Sequence, residues 1–379
     1  MLSLLRTPLY DWHCDQHAQM AEWDGWEMPQ QYVSVLSEYE AARKHVGVTD
    51  LSHKGRLVFE GPGAEQFLNS LFSRNITTIK PGQLRYALLI NEHGGILDDL
   101  LVGHLLREGS GVPYYYVMVN AANREKDIAY FKRFLTPEIM TKPKNEVYFS
   151  DETDDQSMIM VQGPNSLELL KPLFQTDIST LSYYSGVETS FSFGGRWALV
   201  SRTAYAGKDG FEIVLESFFV EQFVTNLFQQ GRIFNIAPVG FAAIDMMRQE
   251  SAIPFYGYEL DESITPFEAG LSHVLHLDDH DFPSNKILCD LKMKTPEKIR
   301  IGLETSGEFP ARNGNEIFFE QNKIGWVTSG TFSPTLHKNI AMGYVPYGFS
   351  QSGQILNINV HGKINEAIVV PIPFVNRRK

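Results

Sequence analysis

Apolar residues along the chain recur in helix-like and strand-like rhythms. From 34 to 46, Tyr39, Ala42 and Val46 share one face while Glu38, Arg43 and Lys44 lie off it, which predicts an amphipathic helix ending near Gly47. Asp50-Leu51-Ser52-His53 then leads into an alternating strand over 56–59, closed by Glu60 and turned by Gly61-Pro62-Gly63. The stretch 64–71 reads as a short helix with Phe67 and Leu71 inward. Residues 85–90 and 99–104 predict a strand pair around Gly94-Gly95, and 114–119 a third strand. Asn120-Ala121-Ala122-Asn123 precedes a helix over 124–134. Further on, strands are predicted over 157–161, 196–201 and 211–215, and helices over 165–170 and 218–229. The order is mixed α+β rather than a βαβ repeat.

The rhythm changes near residue 280, where Asp278, Asp279 and Asp281 crowd together and Pro283 punctuates the run. Beyond it come short strands over 299–303, 316–319, 323–328, 340–345, 354–358 and 366–371. Such a succession predicts a small barrel or sandwich. A domain boundary is therefore expected near 280, and no internal repeat or low-complexity tract interrupts either side.

With 379 residues the chain is long enough for two or three domains. Its 33 Lys plus Arg against 45 Asp plus Glu give a formal charge of −12, so nucleic-acid binding would need a local basic patch, and none is evident. Lys292, Lys294 and Lys298 are diluted by Glu297, and both they and Arg377-Arg378-Lys379 read as solvated surface. Cys14 and Cys289 cannot build a disulfide framework, which points to a reducing, cytoplasmic setting. Residues 1–6 lack a signal-like cleavage region, and no apolar run of 18 residues exists, so no membrane span is expected. The oligomeric state is not legible. The 25 Phe and 16 Tyr fill a core and also suit a planar ligand.

The strongest candidate for chemistry is Asn91-Glu92-His93-Gly94-Gly95-Ile96-Leu97-Asp98-Asp99-Leu100. Strand alternation sends Asp98 and Asp99 to opposite faces, so one can meet a ligand while the other braces the turn. Tyr86 on the preceding strand, and Asn120 and Asn123 after the following one, can join that site. A turn-capping pair is the plainer reading. Tyr205, Asp209 and Glu212 form a second cluster. Glu212 interrupts an apolar strand, and a buried carboxylate there must find donors: a heterocycle with an amide-like edge and an amino group, or internally Arg202 or a nearby loop. Tyr205 can stack on a planar ring or pack in the core. His273, His276 and His280 beside the acidic run have metal-like spacing, but Phe267, Leu271, Val274 and Leu275 favour packing, and no metal is expected. His53 lacks the partners of a Ser-His-Asp triad, Gly61-Pro62-Gly63 is not a dinucleotide fingerprint, and no Walker sequence occurs.

Several ordered runs resemble the aminomethyltransferase family, the T-protein of the glycine cleavage system. They are Arg6-Thr7-Pro8-Leu9, Gly25-Trp26-Glu27-Met28-Pro29, Asp50-Leu51-Ser52-His53-Lys54-Gly55, Gly94-Gly95-Ile96-Leu97-Asp98-Asp99, Val119-Asn120-Ala121-Ala122-Asn123, Asp209-Gly210-Phe211-Glu212, Pro266-Phe267-Glu268-Ala269-Gly270-Leu271 and Thr328-Ser329-Gly330-Thr331-Phe332-Ser333-Pro334-Thr335. The resemblance implies an α+β, three-domain cloverleaf around a central folate-binding cavity. Two intertwined α+β domains would lie within 1–279 and a C-terminal β-barrel within 280–379. It implies tetrahydrofolate as cofactor and a lipoylated carrier protein as partner. Asp99 would be the acid at the reacting carbon, Glu212 would receive the pterin edge, and Tyr86, Asn120 and Tyr205 would line the cavity. The implied activity moves a one-carbon unit from an aminomethyl-lipoyl carrier to folate and releases ammonia.

The chain departs from the pattern at Ile244, where the family has arginine, at Gln249 in the run Arg248-Gln249-Glu250, at Lys54, where it has methionine, and at Ala204, Ala206 and Lys208 around Tyr205. It departs again over Asp281-Phe282-Pro283-Ser284-Asn285-Lys286. Loss of the arginine removes a cation that no isoleucine replaces. Two other readings accommodate these changes: a tetrahydrofolate-dependent demethylase of a small N- or S-methyl donor, and a folate-binding maintenance or regulatory protein without turnover.

Overall fold

The structure, a computed structural model, describes residues 3–136, 145–203, 209–278 and 280–376. In chain order the first elements are α1 (Tyr10–Asp15), β1 (Gln19–Trp23), β2 (Trp26–Gln31), α2 (Val35–Lys44), β3 (Val46–Asp50), β4 (Gly55–Glu60) and α3 (Ala64–Asn69). Then follow β5 (Gln83–Ile90), β6 (Ile96–Leu106), β7 (Pro113–Val119), α4 (Arg124–Phe134), β8 (Tyr148–Asp151), β9 (Gln156–Gln162) and α5 (Ser166–Leu170). Next come β10 (Gly186–Ser190), β11 (Trp197–Ser201), β12 (Gly210–Glu216), α6 (Val220–Gly231), β13 (Ile236–Pro238), α7 (Phe241–Glu250) and α8 (Asn285–Lys292). The last are β14 (Lys298–Thr305), β15 (Glu316–Phe319), β16 (Asn322–Ser333), β17 (Lys338–Pro346), β18 (Ile355–Val360) and β19 (Lys363–Val370). They divide into two compact units, one from Met1–Ala87 and Asp99–Ile244, the other from Leu88–Asp98 and Asp245–Lys379.

Among the described residues of the first unit, one sheet has the strand order β5-β6-β7-β4-β8 and another the order β10-β11-β12-β9-β3-β13. The second sheet buries Ile159, Val161, Val200, Phe211, Ile213 and Leu215 with Leu169 and Leu170 of α5 and Phe223, Val224 and Leu227 of α6. Full burial of each such side chain stabilises by about 1.5–3 kcal/mol. Helix α2 begins where Ser34 accepts a hydrogen bond from Ser37 N, an N-cap that relieves one of the orphan donors. It stops at Lys44, two residues before the expected end, and Gly47 lies inside β3. Gly47 is therefore a packing residue rather than a helix stop: a Cβ there would come within 2.8 Å of Val239 Cγ2 and 2.9 Å of Ala42 Cβ. Buried Glu38 fixes the same corner, accepting from Tyr32 N at 2.7 Å, Val33 N at 3.0 Å and Gly240 N at 2.8 Å.

In the second unit, β14-β17-β16-β15-β18-β19 close into a barrel among the described residues, which meets the expectation of short strands after 280. Leu303, Ile317, Val327, Ile358 and Ala367 fill its interior. Strand β16 runs to Ser333, beyond the expected 328, because a bulge between Val327 and Ser329 lets it continue. The bulge turns consecutive hydroxyls to one side. Thr328 Oγ1 and Ser329 Oγ both donate to Glu259 Oε1, at 2.7 and 2.5 Å, while Arg248 Nη1 grips Glu259 Oε2 at 2.7 Å. The loop Leu88–Asp98 belongs to this unit. Asn91 Nδ2 donates to Glu262 O at 2.9 Å, Ile96 N to Ile264 O at 3.0 Å, and Ser284 Oγ to Asn91 O at 2.9 Å.

Candidate functional site

The turn ahead of Asp99 is built by Asn91 and two glycines. Asn91 Oδ1 accepts from His93 N and Gly95 N, each at 2.9 Å, and Gly94 adopts a φ of +87°. At Gly95 a Cβ would fall 1.9 Å from Glu262 O, so no other residue fits. This sets the phase of β6. Asp98 is fully buried on the side of Ile96 and Leu100, and Asp99 is half-buried on the side of Leu97 and Leu101, the alternation expected from the sequence.

Strand β6 lies between β5 and β7, and each neighbour supplies a donor to Asp99. Tyr86 OH on β5 donates to Asp99 Oδ2 at 3.0 Å. The β6–β7 register pairs Leu101 with Met118, so two residues further along Asn120 stands opposite Asp99. Asn120 Nδ2 donates to Asp99 Oδ1 at 2.9 Å and to its backbone O at 3.0 Å. Each carboxylate oxygen thus accepts a hydrogen bond from a different neighbour, Tyr86 on β5 and Asn120 just past the end of β7, which fixes the plane of the group. Tyr86, Asp99 and Asn120 are brought together as one cluster. Asn123 is buried at the start of α4.

Glu212 belongs to the other sheet. Ser201 pairs with Glu212, Glu212 with Met160, and Met160 with Thr49, so one row crosses β11, β12, β9 and β3 on a shared face. Glu212 is buried and accepts a hydrogen bond at Oε2 from the Thr203 hydroxyl, which itself lies 2.8 Å from Ser201 Oγ. Its Oε1 makes no hydrogen bond among the described residues. Burial pushes the carboxyl up to about 7, against the Thr203 hydrogen bond and the nearby Lys54 charge. Arg202 does not pair with it. The Arg202 guanidinium grips Asp209 instead, Nε to Oδ1 at 2.9 Å and Nη2 to Oδ2 at 2.5 Å. Tyr205 lies outside the described residues, as do Ala204, Ala206 and Lys208.

The segment between β3 and β4 lies beside Glu212. His53 is buried and meets Phe241 edge-on at 5.0 Å. Burial, then the Lys54 charge, hold its imidazole far down, to about 3. Arg56 locks the turn: its Nη1 donates to Lys54 O at 2.7 Å and its Nη2 to Ser52 O at 3.0 Å and Gln156 O at 2.8 Å. Asp50 is occupied elsewhere, accepting from Thr7 Oγ1 at 2.7 Å and lying 3.0 Å from His13 Nε2. Ile244 is buried in the first unit, while Asp245 accepts from Arg248 Nε and Gln249 Nε2, both at 2.7 Å. His273 is exposed, and His276 and His280 have ring centroids 6.4 Å apart. Among the described residues no group of three His, Cys, Asp or Glu side chains is arranged to hold a metal.

Sequence reasoning missed Thr203 and Ser201. The signal was present as period-two spacing: Ser201 and Thr203 stand two apart at the end of β11, opposite Glu212.

The family model described as GCVT N-terminal domain matches residues 9–279, and that described as glycine cleavage T-protein C-terminal barrel domain matches residues 298–376. An aminomethyltransferase of Rubrobacter xylanophilus is 37% identical over 378 residues, covering 100% of this chain and 96% of the relative. One of Thermosynechococcus vestitus is 38% identical over 375 residues, covering 99% and 96%. The crystal structure of glycine cleavage system aminomethyltransferase T from Bartonella henselae superposes with a TM-score of 0.90 at 29% identity, covering 99% of both chains.

Proposed function

We propose, for a chain that belongs to the glycine cleavage T-protein family of aminomethyltransferases, that Asp99 and Glu212 are the two acids on which catalysis and folate binding rest. The protein is a tetrahydrofolate-dependent aminomethyltransferase. Its donor, in this proposal, is an aminomethyl group on the lipoyl arm of a carrier protein, and its products are one-carbon-loaded folate, ammonia and the freed lipoyl thiol. The demethylase and non-catalytic readings are not favoured, since relatives matched over the full length bear the aminomethyltransferase name.

The donor set suits a reduced pterin. Glu212 is a buried carboxyl with one oxygen held by Thr203 and the other without a hydrogen bond among the described residues. An amino-bearing heterocycle edge would supply the missing donors. Tetrahydrofolate, when bound, supplies the amine nitrogen that receives the carbon. Asp99 places negative charge where positive charge develops as the bond to the departing ammonia weakens. It also accepts, at a carboxylate oxygen, the proton released when the new carbon–nitrogen bond forms. Tyr86 and Asn120 hold that carboxylate in one plane so that little reorganisation accompanies the reaction. Tyr205 lines the same site in this reading.

The observation that carries the proposal is the Asp99 carboxylate held on one oxygen by Tyr86 of β5 and on the other by Asn120, just past the end of β7. We place the folate-binding region in 1–279 and the barrel in 280–379, and the enzyme in the cytoplasm. Among the described residues no helix is long and apolar enough to cross a membrane. The test is product analysis with tetrahydrofolate and either a lipoylated aminomethyl carrier or free methylated amines. Ammonia and loaded folate are expected with the carrier alone. Transfer from a free amine, or folate binding without any transfer, would overturn the reading.

A further inference from the structure

The geometry points to an oxyanion-binding fork, made by Arg74 and Arg85 on the outer edge of β5, that takes a carboxylate or phosphate group. Among the described residues strand β5 ends its sheet, so its outward carbonyls have no neighbouring β-strand in that sheet. Two guanidinium groups cap them instead: Arg85 Nη1 donates to Leu84 O at 2.7 Å and Arg74 Nη1 to Tyr86 O at 3.2 Å. Those carbonyls are two residues apart on one strand, about 7 Å, and with each guanidinium bonded to its own, Arg74 lies close enough to Arg85 to feel its like charge. Arg85 Nη2 also reaches Gln83 Oε1 at 2.9 Å. A guanidinium has five N–H donors, and among the described residues only one of those on Arg74 is given a partner.

Their surroundings are unusual for this chain. Acids outnumber bases, and Arg107, Arg124, Arg202 and Arg248 each grip a carboxylate at 2.5–2.8 Å. Among the described residues neither Arg74 nor Arg85 has a carboxylate partner, although both are half-buried. Arg74 faces a like charge: burial, then Arg85, lower it from its usual value. Two partly desolvated cations set side by side are costly unless an anion joins them. The edge-capping bonds account for one or two donors and leave the doubled charge unexplained. An oxyanion taking the remaining donors accounts for it, with the planar fork suited to its paired oxygens.

The anion has two sources, a free oxyanion or the glutamate end of the folate; the second rests on the proposed function, since Tyr86 adjoins the fork. The experiment titrates the full-length protein, the Arg74→Gln/Arg85→Gln double variant and the Arg74→Lys/Arg85→Lys variant with three probes. These are inorganic phosphate, tetrahydropteroylglutamate and tetrahydropteroate, which lacks the glutamate. Saturable phosphate binding, lost in the glutamine variant, supports a free-anion site. A preference for the glutamyl ligand that falls roughly tenfold or more in the glutamine variant, and partly in the lysine variant, supports the folate tail. The tetrahydropteroate affinity is expected to stay unchanged, which also reports an intact fold. Equal losses for both pterins, or no phosphate binding together with no glutamyl preference in the wild type, would overturn the fork. So would a raised KM for the carrier protein with all three titrations unchanged, because the anion would then be a partner's carboxylate. Failure of tetrahydropteroate to bind the wild type would sink the folate reading alone, leaving phosphate to decide the fork.

Discussion

Replacing Glu212 by Gln gives a prediction with a definite sign. The carboxyl rises from an ordinary 4.5 to about 7 in the folded chain, chiefly through burial. Between those values the folded state binds the proton and the unfolded state has lost it. Stability therefore falls as pH rises from below 4.5 through 7, the reverse of a salt-bridged carboxylate. At 1.36 kcal/mol per pH unit, a shift of that size corresponds to about 3 kcal/mol. Glutamine keeps the shape and the Thr203 contact but has no charge to desolvate. Urea unfolding of both proteins at pH 5, 6, 7 and 8 is expected to show similar stability at pH 5 and an advantage for Glu212→Gln that widens between pH 5 and 7 and levels off above it. The folate affinity of the variant should drop, because the amide offers one acceptor where the carboxylate offers two oxygens. The Lys54→Met variant should push the carboxyl higher still, since the lysine charge opposes the shift. Parallel stability curves for wild type and Glu212→Gln across this range would refute the assignment of a protonated, buried Glu212.

Asp99→Asn should fold with unchanged melting behaviour but release ammonia about 10²–10⁴-fold more slowly at saturating carrier and folate; a normal turnover number removes Asp99 from the chemistry. For Asp50, burial pushes the carboxyl up, but the His13 hydrogen bond and charge, with Ser52 and Thr7, outweigh it and hold it at about 2. Its contribution of about 2 kcal/mol is present above pH 4 and lost as pH falls through 2, so Asp50→Asn should flatten the acid limb of an unfolding curve. Glu259→Gln takes from the buried Arg248 one of its two carboxylates, leaving Asp245, and should cost about 1.5–3 kcal/mol by urea titration, whereas loss of under 1 kcal/mol would show that Asp245 and the Thr328 and Ser329 hydroxyls suffice.

Local periodicity made much of the architecture legible. Helix α4 and strand β15 lie where the pattern puts them, because their apolar spacing agrees with their burial. The opposed faces of Asp98 and Asp99 followed from alternation alone, and the donors Tyr86 and Asn120 from strand adjacency. Failures came where long-range packing chose the residue. Gly47 reads as a helix stop but serves a contact with Val239, nearly two hundred positions away. The extension of β16 depends on a bulge that points Thr328 and Ser329 at Glu259, which no local pattern encodes. Arg202 and Glu212 look complementary in sequence, yet Arg202 pairs with Asp209 and Glu212 with Thr203, because the register across β11 and β12 decides which side chains meet.

The ownership of Leu88–Asp98 by the second unit has a practical consequence for dissecting this chain. A fragment beginning at Asp245 would keep every barrel strand and still lack the loop whose main chain and Asn91 amide bond to Ile264, Ser284 and Glu262. Expressed alone, it should be prone to fraying around those residues. Supplying the eleven-residue loop as a tethered graft would be the minimal repair, and any shuffling of halves between homologues must exchange it together with the C-terminal portion.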